Sequence, residues 1–403
     1  LERLINPEKP ARASFYLTAV SSVEVVDEYT VDIRTKAPTP PLLNFLAQGS
    51  IGMISPTALA QYGDEITYHP VGTGPFKFVE WVPGQRVVLE RNESYFRGAP
   101  KLARVVFLPI PEDASRVMAL MAGDVDVIQF PPIEYIPILK NSPEYSVLNV
   151  PGHRVVGIWF NVEKYPFTDR QVRRALEYAI DRDAIVTQIL GGVATKAMGV
   201  LPPGVWGRLE YWPYYYDPDK AKELLANAGW QDTDGDGVLD KEGEPFKVTL
   251  STCMGKYYKD VEIATAVQAQ LRKVGVDVKV QVWEWGAYLD HLQAHEQDFH
   301  IQGWGASADA DEPLRSNFYS GKPWNVMGYS NSQVDELLDK GMHEMDLSKR
   351  RQYYEEAQRL IIDDAVWITL YNEPKIYAVR GYVKNFHIHP EDQLILLGTE
   401  VKR

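Results

Sequence analysis

Apolar and polar positions divide the chain into a strand-rich first block and a helix-rich second one. Residues 22–36 alternate in places around the turn-prone Asp27-Glu28 and predict two strands. Phe76 and Phe78, then Val87, Val88 and Leu89, predict a hairpin turned at Pro83-Gly84. Residues 101–130 read strand–helix–strand: a strand over 104–109, then Val117, Leu120 and Met121 at helical spacing. Gly123 stops that helix, and a return strand follows over 125–130.

From about residue 155 helical spacing dominates. Thr168-x-x-Gln171 has capping-box spacing, and Val172, Ala175, Leu176, Ala179 and Ile180 form one apolar stripe behind it. Asp217-Pro218 pairs an N-cap with Pro at N1, ahead of Ala221, Leu224, Leu225 and Ala228. A strand over 246–252, a helix over 258–274 and valines 276, 278, 280 and 282 alternating with polar residues make a strand–helix–strand unit. Such a unit implies parallel neighbours. Further segments are a helix over 287–296, a strand over 299–304, helices over 332–344 and 348–362, a strand over 366–371 and a strand-like tail over 376–403. The pattern is α/β, and the last residues could return to the first block.

Composition narrows the function classes. At 403 residues the chain exceeds the size at which one core stops growing, roughly 250–300 residues, so two or three packed units are expected. The net charge is −13 with scattered Lys and Arg, which argues against nucleic-acid binding. The single cysteine, Cys253, excludes an internal disulfide and a multi-cysteine metal site. No apolar run reaches the roughly 18 residues that a membrane-spanning helix needs. Gly72-x-Gly74-Pro75 lacks the Gly-Lys-Ser/Thr ending of a phosphate loop, and neither His-Glu-x-x-His nor Gly-x-Ser-x-Gly occurs.

One loop has metal-ligand spacing. Asp232, Asp234 and Asp236 stand at positions 1, 3 and 5 of a calcium-loop pattern, with Gly237 at 6 and the Val238 carbonyl at 7. Position 12 is Gly243 rather than a bidentate Glu, so Asp240 or Glu242 would have to substitute. The residues leave two readings open: a structural calcium site, or an acidic turn between a helix and a strand. No cofactor is otherwise called for.

Four segments in order resemble the extracellular solute-binding proteins of family 5, which serve ABC importers for peptides, nickel complexes and oligosaccharides. They are Gly72-Thr73-Gly74-Pro75-Phe76-Lys77-Phe78 with Trp81 and Arg91-Asn92-Glu93-Ser94-Tyr95-Phe96, and Asn161 with Pro166-Phe167, Asp169, Val172-Arg173 and Ile180-Asp181-Arg182. Next come Asp217-Pro218 with Lys220-Ala221, Leu224-Leu225 and Gly229-Trp230, and finally Gly303-Trp304-Gly305 with Tyr329-Ser330-Asn331, Asp335 and Leu337-Leu338. The resemblance implies an α/β fold of the periplasmic-binding-protein type II kind, with two lobes joined by a hinge and lobe one discontinuous and incomplete. It places 1–66 as the remainder of an extra subdomain of lobe one, 67–152 in lobe one, 153–378 in lobe two and 379–403 as the return to lobe one. The opening segment, residues 1–20, resembles the family's interior. The chain is therefore expected to lack an amino-terminal part and to expose sheet edges or apolar patches that invite self-association; the intact protein is expected to be a monomer.

The implied function is binding without chemistry: a peptide-like solute is captured and passed to ABC permease subunits, in the periplasm or on the outer face of the cytoplasmic membrane, with the export signal expected in the absent part and a lipid anchor there left open. In peptide-binding relatives the Gly-Trp segment runs beside the ligand, and an Asp three positions after the Trp holds the ligand's ammonium. Here that place is Ser307, with Asp309 and Asp311 beyond it. Trp283, Trp285, Trp304 and Trp324 could offer flat contact faces, with Arg315, Asn317 and Tyr319 on the same loop. The bland reading is that the two acids turn the loop and open the next helix, and that the tryptophans pack. Alternatives are an oligosaccharide binder of the same family, a sensory or chaperone-like binder, and a carbohydrate-active enzyme, which needs two carboxylates facing one cleft.

Overall fold

Two long strands carry the chain between two packed units. The computed structural model describes residues 1–6, 12–391 and 393–402, so residues 7–11 of the opening segment lie outside the described residues. One unit comprises Leu1–Phe45 and Pro151–Glu373; the other comprises Leu46–Val150 and Pro374–Arg403. The chain passes from one to the other inside the strands Tyr145–Phe160 and Trp367–Arg380.

The first unit is built on a sheet of β1 (Tyr145–Phe160), β2 (Lys247–Cys253), β3 (Asp277–Trp283), β4 (Phe299–Gly305) and β5 (Trp367–Arg380), in the order β3-β2-β4-β1-β5. β2 runs parallel to β3 and to β4, and β4 runs antiparallel to β1. Its longer helices among the described residues are α1 (Arg170–Ala179), α2 (Pro218–Asn227), α3 (Asp260–Arg272), α4 (Trp285–Gln293), α5 (Asp311–Phe318), α6 (Ser332–His343) and α7 (Leu347–Asp363). α3 joins β2 to β3, as the valine alternation predicted. Asp217 caps α2 by accepting from the Lys220 N–H at 2.9 Å. At α1 the cap is Asp169, which accepts from the Gln171 N–H at 2.8 Å, rather than Thr168. The carboxylate lies one residue closer to the helix and takes the same orphan donor.

The core of this unit is aromatic. Trp159 lies 4.5 Å from Trp367 and stacks on Phe318 at 6.3 Å, and its indole N–H donates to the Gln302 carbonyl at 3.1 Å. Gly157 is required beside it: a Cβ there would stand 2.2 Å from the Trp367 indole nitrogen. The family-like motif residues knit this core. Arg173 donates to the carbonyls of Phe167 and Asp364, both at 2.7 Å, and Asn161 donates to the Gln297 carbonyl at 3.0 Å. Residues 1–45 pack in this unit: His343 Nδ1 bonds the Pro38 carbonyl at 2.8 Å.

In the second unit Phe76–Val82, Arg86–Arg91 and Arg104–Phe107 form an antiparallel sheet. The two halves of the first motif meet there: the Asn92 side chain donates to the Gly74 carbonyl at 3.1 Å, and the Asn92 N–H to the Pro75 carbonyl at 2.9 Å. Gly72 permits a close approach, since a Cβ would stand 2.8 Å from the Met53 carbonyl. Val117, Leu120, Ile128, Leu139 and Ala378 make a small core. Trp81, Phe96 and Phe107 remain exposed.

Candidate functional site

Three parallel strands, β2, β3 and β4, end on one edge of the first unit, at Cys253, Trp283 and Gly305. In open α/β sheets ligands gather outside the carboxyl ends of such strands, where loops and helix starts meet. Each of these ends is locally built to hold its shape. After β2 the loop is fixed by Asp260, whose carboxylate accepts from the N–H groups of Lys256 at 3.0 Å and Tyr257 at 3.3 Å. Burial pushes the neighbouring Cys253 thiol up to about 12, so it stays protonated and unreactive. After β3, Glu284 caps α4 through the Gly286 N–H at 2.7 Å. After β4 comes the Gly-Trp segment.

The tryptophans expected at the site divide. Trp285 carries the Lys256 ammonium over its face at 4.6 Å and meets Tyr257 edge-on. Trp304 packs against the core from one side and lies 5.6 Å from the half-exposed Trp324. Trp283 stacks on His291 at 4.4 Å. His291 also stands between Ser251 Oγ and Glu296 Oε2, each at 3.2 Å. That series has the connectivity of an activated nucleophile, but Ser251 is 1% exposed, inside the sheet.

The loop after β4 turns inward. Arg350 of α7 donates to both Asp309 oxygens at 2.7 Å, with side-chain exposures of 2% and 3%. Arg350 also lies over Trp206 at 4.5 Å, and the Trp206 backbone bonds Ala308 and Ala310 on either side of Asp309. Asp309 accepts from the Asp311 N–H at 3.0 Å, Ser307 Oγ donates to the Asp309 carbonyl at 3.2 Å, and Tyr354 donates to Asp311 at 2.8 Å. Arg315 reaches Asp311 at 3.4 Å and Asp339 at 2.9 Å. Ser307, Asp309, Asp311 and Arg315 are thus brought together, in a buried network that shapes the loop. Asn317 donates to the Pro313 carbonyl at 2.7 Å, and Tyr319 to Asp339 at 3.1 Å.

Sequence reasoning missed a charged pair at the same edge. Arg154 of β1 donates to Glu373 of β5 at 2.7 Å, and Arg154 is the ladder partner of Gly305. Tyr257 joins them, donating to the Gly303 carbonyl at 3.3 Å; burial raises its phenol, and Arg154 opposes that rise. The available signal was a charge directly ahead of the apolar run 155–160, which many strands share.

The acidic loop 232–240 lies elsewhere on the unit. Among the described residues, Asp232, Asp234 and Asp240 form the group of carboxylates that could share one cation, with oxygens within 4.8 Å of one another. Asp236 instead accepts from the Val238 N–H at 2.7 Å. Asp232 accepts from Gly235 at 2.7 Å and Gly237 at 3.0 Å, while Asp240 holds Thr233.

Comparison with known proteins adds to this geometry. The family described as bacterial extracellular solute-binding proteins, family 5 Middle, matches residues 1–326. The oligopeptide-binding protein AppA of Bacillus subtilis (strain 168) is 34% identical over 339 residues, which cover 81% of this chain and 61% of AppA. By that match the chain spans less than two thirds of AppA. The glutathione-binding protein GsiB of Pectobacterium atrosepticum is 31% identical over 404 residues, covering 97% of this chain and 76% of GsiB. The solved structure of B. subtilis AppA in complex with a nonapeptide superposes with a TM-score of 0.83 at 29% identity, over 100% of this chain and 82% of that one. All of these are binding proteins by name. No helix among the described residues is long and apolar enough to cross a membrane.

Proposed function

The chain belongs to the bacterial extracellular solute-binding proteins of family 5, with their two-lobe type II fold, and from that premise we propose that it captures a peptide-like solute and delivers it unaltered to the membrane subunits of an ABC importer. The observation that carries the reading is the edge formed by the ends of β2, β3 and β4. It sets the aromatic rings of Tyr257 and Trp285 on the side of the sheet that carries the Arg154–Glu373 pair, a mixture of flat apolar contact and fixed charge that suits a small polar solute. The relatives' names, an oligopeptide binder and a glutathione binder, support the peptide-like class. The protein acts on the outer side of the cytoplasmic membrane, where such a solute is met.

Calorimetric titration with reduced glutathione and short peptides, followed by chromatography of the released ligand, tests the reading. Saturable binding with the ligand returned intact is expected. Turnover of any probe into product would replace the reading with an enzymatic one. A second reading, an oligosaccharide ligand, is favoured by the two adjoining indoles of Trp304 and Trp324; binding of maltotriose or cellotriose with no peptide binding would select it.

The acidic loop enters as a separate proposal: Asp232, Asp234 and Asp240 hold one calcium ion that stiffens the turn and takes no part in capture. The convergence of the three carboxylates supports it. Calcium titration after chelator treatment should show one binding event that Asp232→Ala/Asp234→Ala abolishes; a flat titration removes the proposal.

A further inference from the structure

We propose that Glu177, Arg182, Trp212 and Thr369 enclose an internal polar site in the first unit. Its ligands are a proton carried by Glu177 and ordered water that joins Glu177 to the other three side chains. The capture reading neither requires this site nor depends on it.

Glu177 stands on α1 and is 2% exposed, because this helix is covered on more than one face. Both of its carboxyl oxygens are buried without a hydrogen-bond partner. Buried polar groups are bonded in the great majority of cases, so an orphaned carboxyl marks a place where something binds. Arg182, the cation that bears on Glu177, does not supply that bond. Its Nη1 donates to the Ala197 and Thr369 carbonyls, each at 2.9 Å, and its guanidinium lies over the Trp212 ring at 4.9 Å.

Two further orphans belong to the residues that this guanidinium touches. The Trp212 indole nitrogen and the Thr369 hydroxyl are buried without partners. Thr369 alternates with Trp367 on β5, and Trp367 shares its core with Trp212 and Tyr214, so the hydroxyl faces that side. The set is complementary: an N–H donor, an O–H donor and a carboxyl come to one guanidinium from three separate segments. Tyr214 stands outside it, since its hydroxyl donates to the Ile362 carbonyl at 3.1 Å.

Water suits such a set, because it takes about two to four polar partners and bridges groups that no direct bond joins. A metal cation does not, with the Arg182 charge beside it. Burial holds the Glu177 carboxyl well above its ordinary 4.5, and Arg182 opposes the rise. Neither α2 nor α3, which pack on α1, adds a charge that bears on it. Tyr178 and Tyr214 feel Glu177, but burial raises both phenols and they stay neutral. The proton makes one Glu177 oxygen a donor and leaves the other to accept from water. The bland alternative is an ionised Glu177 that turns to pair directly with Arg182.

Infrared and nuclear magnetic resonance spectroscopy of the full chain separate these. At neutral pH wild type should show the carbonyl stretch of a protonated carboxylic acid, and Glu177→Gln should lose it. Magnetisation should pass from a long-lived water to the Trp212 indole proton, a signal assigned by its loss in Trp212→Phe. Glu177→Leu, folded by circular dichroism, should keep the indole proton and lose that transfer. The folded chain keeps a proton that the unfolded chain releases above about 4.5, so stability falls as pH rises beyond that value. Glu177→Gln should flatten the fall. A direct ion pair would give an ionised carboxylate and no water at Trp212. A wild type without the protonated band, or a band that survives in Glu177→Gln, overturns the proposal. So does an indole proton that meets no water in wild type, or one that keeps its water in Glu177→Leu. Should Glu177→Leu not fold, the wild-type indole signal and the Glu177→Gln band still decide both halves.

Discussion

Two acidic loops of the first unit, 232–240 and 305–311, look alike as sequences and do different work. In the first, exposed carboxylates bond the N–H groups of their own turn at separations of two to seven residues. In the second, Asp309 and Asp311 are buried and bonded to Arg350 and Tyr354, which come from α7 some forty positions later. The first loop is held locally and remains open to a cation. The second is held by tertiary structure and is closed to one. An aspartate's role is set by what its oxygens meet, and short-range spacing reports only on the local case.

The largest effect is expected in the buried loop. Arg350→Leu leaves Asp309 as an unpaired buried charge and should cost about 3–5 kcal/mol in urea denaturation. Arg350→Leu/Asp309→Leu should recover much of that loss, because both charges go together. A double variant as unstable as the single one would show that the pair is not what holds the loop.

A smaller effect is expected from pH on the strand that feeds this loop. Burial lowers the His300 imidazole to about 3, and its Nε2 faces Gln302 at 3.1 Å. The unfolded chain binds a proton near 6.5 that the folded chain refuses until about 3. Stability contributed by this site is therefore full above 6.5 and falls as pH drops toward 3, by about 1.4 kcal/mol per unit where the slope is complete. His300→Gln should flatten that part of the stability–pH curve. An unchanged slope would assign the acid sensitivity to other groups.

The smallest effect belongs to the exposed loop. Asp232→Asn keeps an acceptor for one of the Gly235 and Gly237 N–H groups, leaves the other to water on this exposed loop, and should change stability in calcium-free buffer by about 0.5 kcal/mol or less. A loss comparable to that of Arg350→Leu would mean that the two loops are not held differently after all.

Much of the fold was legible in local pattern. The valine alternation of β3, the cap at Asp217 and the turn at Pro83-Gly84 are short-range events, and each stands where periodicity put it. The long strand β5 was not. Apolar alternation ends near Tyr371, yet the strand runs through Arg380 with Asn372, Glu373 and Lys375 buried in it. Asn372 and Glu373 are tolerated because partners lie across the unit: Thr195 for Asn372 at 3.0 Å, and Arg154 for Glu373. The aromatic part of the candidate site was visible through the Gly-Trp segment, while Arg154, 219 positions from Glu373, was not.

The amino-acid sequence by itself determined the α/β class, the order of elements and the family, because these follow from periodicity, capping and short motifs whose residues interact over a few positions. Only the tertiary structure decided which charges are spent inside the unit and which are presented at its edge. Pairing between residues 41 or 219 positions apart depends on strand register and burial, and neither is encoded at the spacing where a sequence pattern can be read.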